Sequence, residues 1–135
     1  MNNAGRFDLA NLQITAARAL ALLTPISGLE GMSAVTIEAA FAYGSGGATA
    51  SIIVGSSLDS SLAAWRHIAR FDFTTASAVK MANISGLTAK GITAYNDLAS
   101  EGVQDGFLGN VLAAYVVTTG TYGGSTLLTC RVAVR

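Results

Sequence analysis

The side chains that could carry chemistry are few and scattered in this chain. His67 is the only histidine and Cys130 the only cysteine among 135 residues. A catalytic histidine needs a nucleophile and an orienting acid beside it, and nothing in the sequence marks such helpers for His67. One histidine and one cysteine also cannot supply the ligands of a His/Cys metal site. The sequence therefore predicts no catalytic residue, no metal site and no cofactor.

Three acidic residues recur at four-residue spacing: Asp97, Glu101 and Asp105. On a helix they would line one face and could hold a hard cation such as calcium. Gly102 and Gly106 disfavour a helix here, and the Asp-x-Asp-x-Asp-Gly pattern of calcium loops is missing. A solvated acidic loop is the favoured interpretation, with a cation site or a salt bridge between subunits as alternatives.

Aromatic side chains suggest a second kind of site, a platform for sugars. Trp65 and Tyr115 fall within alternating strand patterns, which favours a place in the core. Tyr95 and Tyr122 fall in loop-like segments, so they are the aromatic residues most free to contact a partner. A carbohydrate-binding adhesion module therefore stays open as an alternative function.

The chain is neutral and poor in charge. Eight basic and eight acidic residues cancel, and charged residues make up 12% of the chain, against about 25% in an average soluble domain. A neutral chain lacks the basic surface that binds nucleic acid, and no segment has the length and apolarity of a membrane span or a secretory signal. We expect no nucleic-acid partner, no membrane, and neighbours that cover the protein in an oligomer or assembly.

Most of the chain shows the two-residue alternation of half-buried strands, punctuated by glycine. In residues 77–85 the pattern predicts Val79 and Met81 inward and Lys80 outward, with Ile84 out of phase. Residues 111–119 are apolar on both faces, which indicates a strand covered on both sides. Strands are predicted at 12–23, 33–43, 48–58, 65–73, 77–85, 111–119 and 126–135.

The glycine-rich segments 44–47 and 120–124 are expected to close two hairpins, and residues 86–109 form a long loop. The sequence predicts an all-β, antiparallel β-sandwich of about seven strands, jelly-roll or immunoglobulin-like. Residues 12–135 form its single domain, and residues 1–11 form an extended N-terminal arm. Within the domain, residues 12–23 fit a helical stripe as well as a strand, and the strand is preferred.

Two segments resemble the small structural proteins of tailed bacteriophages. Residues 56–77 read SSLDSSLAAWRHIARFDFTTAS and residues 117–127 read VTTGTYGGSTL. In the family a stretch of the form tSlDgg..W.dIA.F.FTTAs precedes a late strand that ends in TTGTYgGgTtL. The similarity covers about half of the chain and excludes residues 1–30. Ser60-Ser61 replaces the usual glycine pair, and Arg66-His67 replaces the usual acid after the tryptophan. The resemblance implies a virion component without enzymatic activity.

Neutral charge favours the outer surface of a phage head over a position facing packaged DNA. We therefore predict a capsid cement or decoration protein, made in the host cytoplasm, on the outer shell of the virion. Its expected partners are the major capsid protein, other virion subunits and further copies of itself, for example as a trimer. A tail or head–tail connector component, such as a terminator or fibre-base module, is the alternative. The arm would dock through Arg6, Phe7 and Asp8, which offer one charge of each sign and an apolar anchor.

Overall fold

The computed structural model describes residues 5–59, 61, 65–89, 98–105 and 107–135. These residues form ten β-strands and no helix, which confirms the predicted all-β class. The strands are β1 (Gly5–Gln13), β2 (Arg18–Leu22), β3 (Ala34–Ala42), β4 (Ser45–Gly46), β5 (Thr49–Ser57), β6 (Arg66–Phe73), β7 (Ala78–Ser85), β8 (Val111–Thr119), β9 (Tyr122–Gly123) and β10 (Leu127–Val134).

The eight long strands form two antiparallel sheets that enclose one core. Sheet I has the order β1-β10-β3-β7, and sheet II has the order β2-β8-β5-β6. Counting only the long strands, the first pairs with the eighth, the second with the seventh, the third with the sixth and the fourth with the fifth. This is the pairing of a jelly roll, a double-sheet fold of eight strands, and it replaces the immunoglobulin-like alternative.

The core lies between the inner faces of the two sheets. In β3 the odd-numbered residues from Val35 to Phe41 are buried and the even-numbered residues are not, as the alternation predicts. Cys130 on β10 is fully buried and belongs to this core. In β8, residues 111–114 are all buried, which confirms that this part of the strand is covered on both sides. Burial of each large apolar side chain contributes about 1.5–3 kcal/mol, so these strands hold the sandwich together.

The two glycine-rich segments are crossovers between the sheets, so the hairpin predictions are wrong. β3 and β5 lie in different sheets, and so do β8 and β10. The short strands β4 and β9 lie within the two crossovers and pair with each other, Ser45 with Gly123 and Gly46 with Tyr122. A glycine-rich turn permits a sharp change of direction but does not determine which strand pairs next. Of the long strands that follow one another in the described chain, only β5 and β6 are hydrogen-bonded to each other.

The N-terminal residues belong to the sandwich from residue 5 onward. β1 pairs with β10 from Gly5 opposite Val134 to Gln13 opposite Leu127, so the predicted boundary between an arm and a domain at residue 11 is wrong for the described residues. The boundary fails because the backbone of β1 completes sheet I. The predicted strand 12–23 is likewise divided, since its first residues end β1 and its later residues form β2 in the other sheet.

β7 has the opposite phase from the one predicted. Val79 and Met81 are 64% and 62% exposed, whereas Ile84 is buried. The pairing of β7 with β3 runs without a break from Ser85 to Ala78, and β7 ends one residue after Ile84. The prediction fails because it assumes that the larger apolar side chains, Val79 and Met81, point inward. The side of β7 that faces the core instead carries Ile84 and the smaller Ala78 and Ala82.

The long segment 86–109 covers a sheet edge with part of its length. Val103 forms a bridge with Ala69 of β6. The backbone N–H of Arg70 donates to the carbonyl of Gly102 over 3.0 Å, and the N–H of Gln104 donates to Ile68 over 2.9 Å. Residues 102–104 therefore shield the free edge of β6. Residues 90–97 and 106 of the predicted loop lie outside the described residues.

Candidate docking surface

His67 lies inside the packed structure on β6. Its side chain is buried, and its ring centroid lies 6.3 Å from that of Trp65 and 6.2 Å from that of Tyr115. The two aromatic rings meet edge to face at 5.4 Å, a favourable geometry for an aromatic pair. His67 therefore packs within this aromatic cluster.

The two described acids of the 86–109 segment contact β7. The Lys80 Nζ lies 2.5 Å from Glu101 Oε1, and the backbone N–H of Ser85 donates to Asp105 Oδ1 over 2.7 Å. Asp97 lies outside the described residues. Within the part of the chain that the structure describes, no group of three metal-binding side chains comes together. Glu101 and Asp105 therefore act as ties within one chain.

Asp72 on β6 also holds the 86–109 segment, through its hydrogen bond with Ser100. It accepts hydrogen bonds from Ser51 Oγ at 2.5 Å, Arg70 Nε at 3.2 Å and the Ser100 hydroxyl. Burial raises the pKa of Asp72, but the hydrogen bonds from Ser100, Ser51 and Arg70 outweigh it and lower the pKa below its ordinary value of 3.8. The Lys80 Nζ also donates to the Asp72 carbonyl over 2.5 Å. Lys80 thus links β7 of sheet I to β6 and residue 101.

Tyr122 is a core residue, so its prediction as an accessible contact is wrong. Its ring meets those of Phe41 and Tyr43 edge to face at 5.6 and 6.2 Å, and its hydroxyl donates to the Thr74 carbonyl over 2.7 Å. Burial raises the pKa of this hydroxyl above its ordinary value, and Tyr43 adds to the effect. The prediction fails because the turn that carries Tyr122 folds over the end of the core.

A sugar platform therefore loses one of its two predicted aromatic residues. The other, Tyr95, lies outside the described residues. No described residue favours the carbohydrate alternative specifically.

The three predicted contact residues of the N-terminal segment are divided between two faces. Phe7 is half-buried and packs against the core, which removes it as an apolar docking anchor. Arg6 and Asp8 are exposed and pair with Ala133 and Arg131 of β10. Side chains of successive strand residues point to opposite faces, so Arg6 and Asp8 lie on the outside of sheet I.

The outer face of sheet I carries a mixed set of charged and apolar side chains. The register aligns Asp8, Arg131, Glu38 and Met81 in one row across all four strands. Val79 lies beside Met81 on the same face, and both are more than 60% exposed. This surface, called here the outer face of sheet I, consists of Arg6, Asp8, Glu38, Val79, Met81 and Arg131.

The charges on the outer face of sheet I have no ionic partner within the described chain. No opposite charge lies within 4.0 Å of Arg6, Asp8, Glu38 or Arg131 among the described residues. Shallow depressions of about 210 and 140 Å³ lie between them. Two cations and two anions thus remain available to a partner of complementary charge pattern, which would fix its position and orientation.

Sequence reasoning misses Glu38 and Arg131 as members of this surface. Both occupy outward positions of alternating strands, so the alternation already marks them as exposed. Their proximity to Arg6 and Asp8 depends on strand pairing, for which the sequence holds no local signal.

No family model, curated protein or solved structure matches the chain. The described residues include no helix with the length and apolarity needed to cross a membrane.

Proposed function

We propose that the protein is a non-enzymatic structural subunit of a virion, a cement or decoration protein on the outer shell of a tailed phage head. The virion assignment rests on the resemblance of residues 56–77 and 117–127 to small structural proteins of tailed phages. Jelly rolls occur in viral capsid and in lectin domains, and a fold alone does not specify a function.

The outer face of sheet I is the observation that supports docking. Its four charges are balanced and have no ionic partner within the described chain. Val79 and Met81 lie beside them with about two thirds of their surface exposed. Full burial of such side chains contributes about 1.5–3 kcal/mol each, so covering the exposed part would contribute roughly 1–2 kcal/mol per residue.

The copy number of the chain in intact particles tests the location. A cement protein should be present in hundreds of copies, in a fixed ratio to the major capsid protein. A connector or tail component would give about six or twelve copies, as expected for one ring, and would contradict the cement proposal. Quantitative mass spectrometry of purified particles measures this ratio, and absence of the chain from the particles would overturn the virion assignment.

A charge-reversal variant tests the docking surface. Arg131→Glu places a third acid on the outer face of sheet I, and we expect its affinity for shells that lack the protein to fall at least about tenfold, or 1.4 kcal/mol. Arg131→Lys keeps the charge and serves as the matched control. Equal shell occupancy by the wild type and Arg131→Glu would exclude this face as the docking surface.

A further inference from the structure

Residues 98–105, called here the strap, cover the free edge of β6 in sheet II. The backbone N–H of Arg70 on β6 donates to the Gly102 carbonyl over 3.0 Å, and the N–H of Gln104 donates to the Ile68 carbonyl over 2.9 Å. The strap thus takes the place of a further strand beside β6. It hides backbone groups that would otherwise be open to pairing with another chain.

Hydrophobic burial contributes little to holding the strap in place. The structure describes every residue of the strap, and no apolar side chain among them belongs to the core or packs directly against it. Val103, which forms the bridge to β6, is 54% exposed. Ala99, Ser100, Glu101 and Asp105 are exposed as well. The core can therefore stay packed when the strap is displaced.

Charged side chains in the middle of the strap hold it instead. The Lys80 Nζ on β7 lies 2.5 Å from Glu101 Oε1, and this oxygen also accepts from the backbone N–H of Asp72 over 3.2 Å. The Ser100 hydroxyl donates to the Asp72 carboxylate. Because β6 is an edge strand of sheet II and β7 an edge strand of sheet I, these contacts tie the strap to both sheets.

The two ends of the strap are held by polar contacts, and the backbone between them is strained. Arg70 Nη1 donates to the Leu98 carbonyl over 3.2 Å, and the backbone N–H of Ser85 donates to Asp105 Oδ1 over 2.7 Å. Glu101 has a φ of +61°, a left-handed conformation that a residue other than glycine rarely adopts. Such a conformation costs free energy and persists only while the surrounding contacts impose it.

We propose that the strap opens as one unit while the sandwich stays folded, and that the ion pair of Lys80 with Glu101 is the latch that keeps it closed. Segments with few buried apolar contacts and exposed hydrogen bonds open at a lower free energy than core strands. Opening frees the N–H of Arg70 and the carbonyl of Ile68, so β6 then presents an edge that can pair with an extended segment. The strap is thus a removable guard of sheet II, whether or not the chain is a virion subunit.

Amide hydrogen exchange of the purified full-length chain, followed by NMR at several low concentrations of urea, tests the opening. The N–H groups of Arg70 and Gln104 report on the strap, since both bridge it to β6. Phe71 is the internal control and pairs with Ile52 of β5. Hydrogen-bonded and non-bonded pairs alternate along an antiparallel ladder, so the N–H of Phe71 faces β5 when that of Arg70 faces the strap.

We expect the amides of Arg70 and Gln104 to be protected at least about tenfold less than that of Phe71. Their exchange should depend little on urea, because opening of the strap exposes little surface. Exchange of Phe71 should show the full urea dependence of global unfolding. Equal protection and equal urea dependence of the three amides would mean that the strap opens only when the sandwich unfolds, and would overturn the proposal.

Lys80→Met tests the latch in the same experiment. It removes the contact to Glu101, and we expect the protection of Arg70 and Gln104 to fall at least about threefold, as for a partly exposed ion pair. Arg131→Met is the matched control, since it removes one cation from the outer face of sheet I, and it should leave both amides unchanged. Equal protection of these amides in the two variants would exclude Lys80 as the latch.

Discussion

Replacing Gly47 by alanine tests how the two crossovers are locked over the end of the core. Gly47 has a φ of +70°, and a Cβ atom placed on it would lie 2.3 Å from three ring atoms of Tyr122. Tyr122 is itself held by Phe41, Tyr43 and the Thr74 carbonyl. The ring therefore cannot move aside without breaking a buried contact.

Two separate costs make up the expected loss of stability. A non-glycine residue in this left-handed region costs about 1–3 kcal/mol, and forcing an extra methyl group against a packed ring costs about 1–3 kcal/mol more. Gly31→Ala provides the control for the first cost, since Gly31 has a φ of +85° and no atom within 4 Å of the added Cβ. Gly47→Ala should thus lower the free energy of unfolding by about 1–3 kcal/mol more than Gly31→Ala.

Urea unfolding followed by the fluorescence of Trp65 measures both variants. Trp65 is the only tryptophan and is 6% exposed, so its emission reports exposure on unfolding. With a dependence of about 1–3 kcal/mol per molar urea, the extra loss should shift the midpoint by roughly 1 M. Combining Gly47→Ala with Tyr122→Leu removes the opposing ring atoms and should recover the steric part of the loss. Equal losses for Gly47→Ala and Gly31→Ala, or an unchanged extra loss beside Tyr122→Leu, would refute this explanation.

Two further predictions concern the ties around β6. Lys80→Met keeps an apolar stem over Phe73 but removes the contacts to the Asp72 carbonyl and Glu101. We therefore expect the free energy of unfolding, measured in urea, to fall by about 1–2 kcal/mol. Lys80→Arg is the control, and an unchanged unfolding midpoint for Lys80→Met would contradict this role of Lys80. Because the folded-state pKa of Asp72 is lowered, its stabilisation is present above pH 3.8 and is lost as the pH falls through the folded-state pKa. Asp72→Asn should therefore have a lower free energy of unfolding than the wild type at pH 7, and the two values should converge below about pH 4. A difference between them that stays constant with pH would exclude this linkage.

The strands themselves are largely readable from the sequence, whereas their pairing is not. Alternation from Val35 to Phe41 marks β3 because each inward residue is apolar and each outward residue is small or polar. The glycine-rich sequence of the connection 44–47 is compatible both with a hairpin turn and with a crossover to the other sheet. Its course is decided by β9, more than 70 residues later, which pairs with β4.

The candidate surface is predictable only in part for the same reason. Arg6 and Asp8 are exposed as expected, but Phe7, which lies between them, packs against the core. This follows from the alternation of side chains along a strand, whereas the prediction treated these residues as an extended arm. Val79 and Met81 are apolar yet exposed, so hydrophobicity alone assigns them to the wrong side. Arg131 joins Asp8 through a pairing that spans most of the chain.

The central position of β10 in sheet I has a consequence for synthesis on the ribosome. Every strand of sheet II has been made once Thr119 is added, whereas β1 and β3 lack their shared neighbour until residues 127–134 follow. At about 5–20 residues per second, the 92 residues from the end of β3 at Ala42 to the end of β10 at Val134 take roughly 5–18 s to make, and sheet I stays incomplete for that time. Nascent chains stalled in this interval should be the species that chaperones hold and proteases cut.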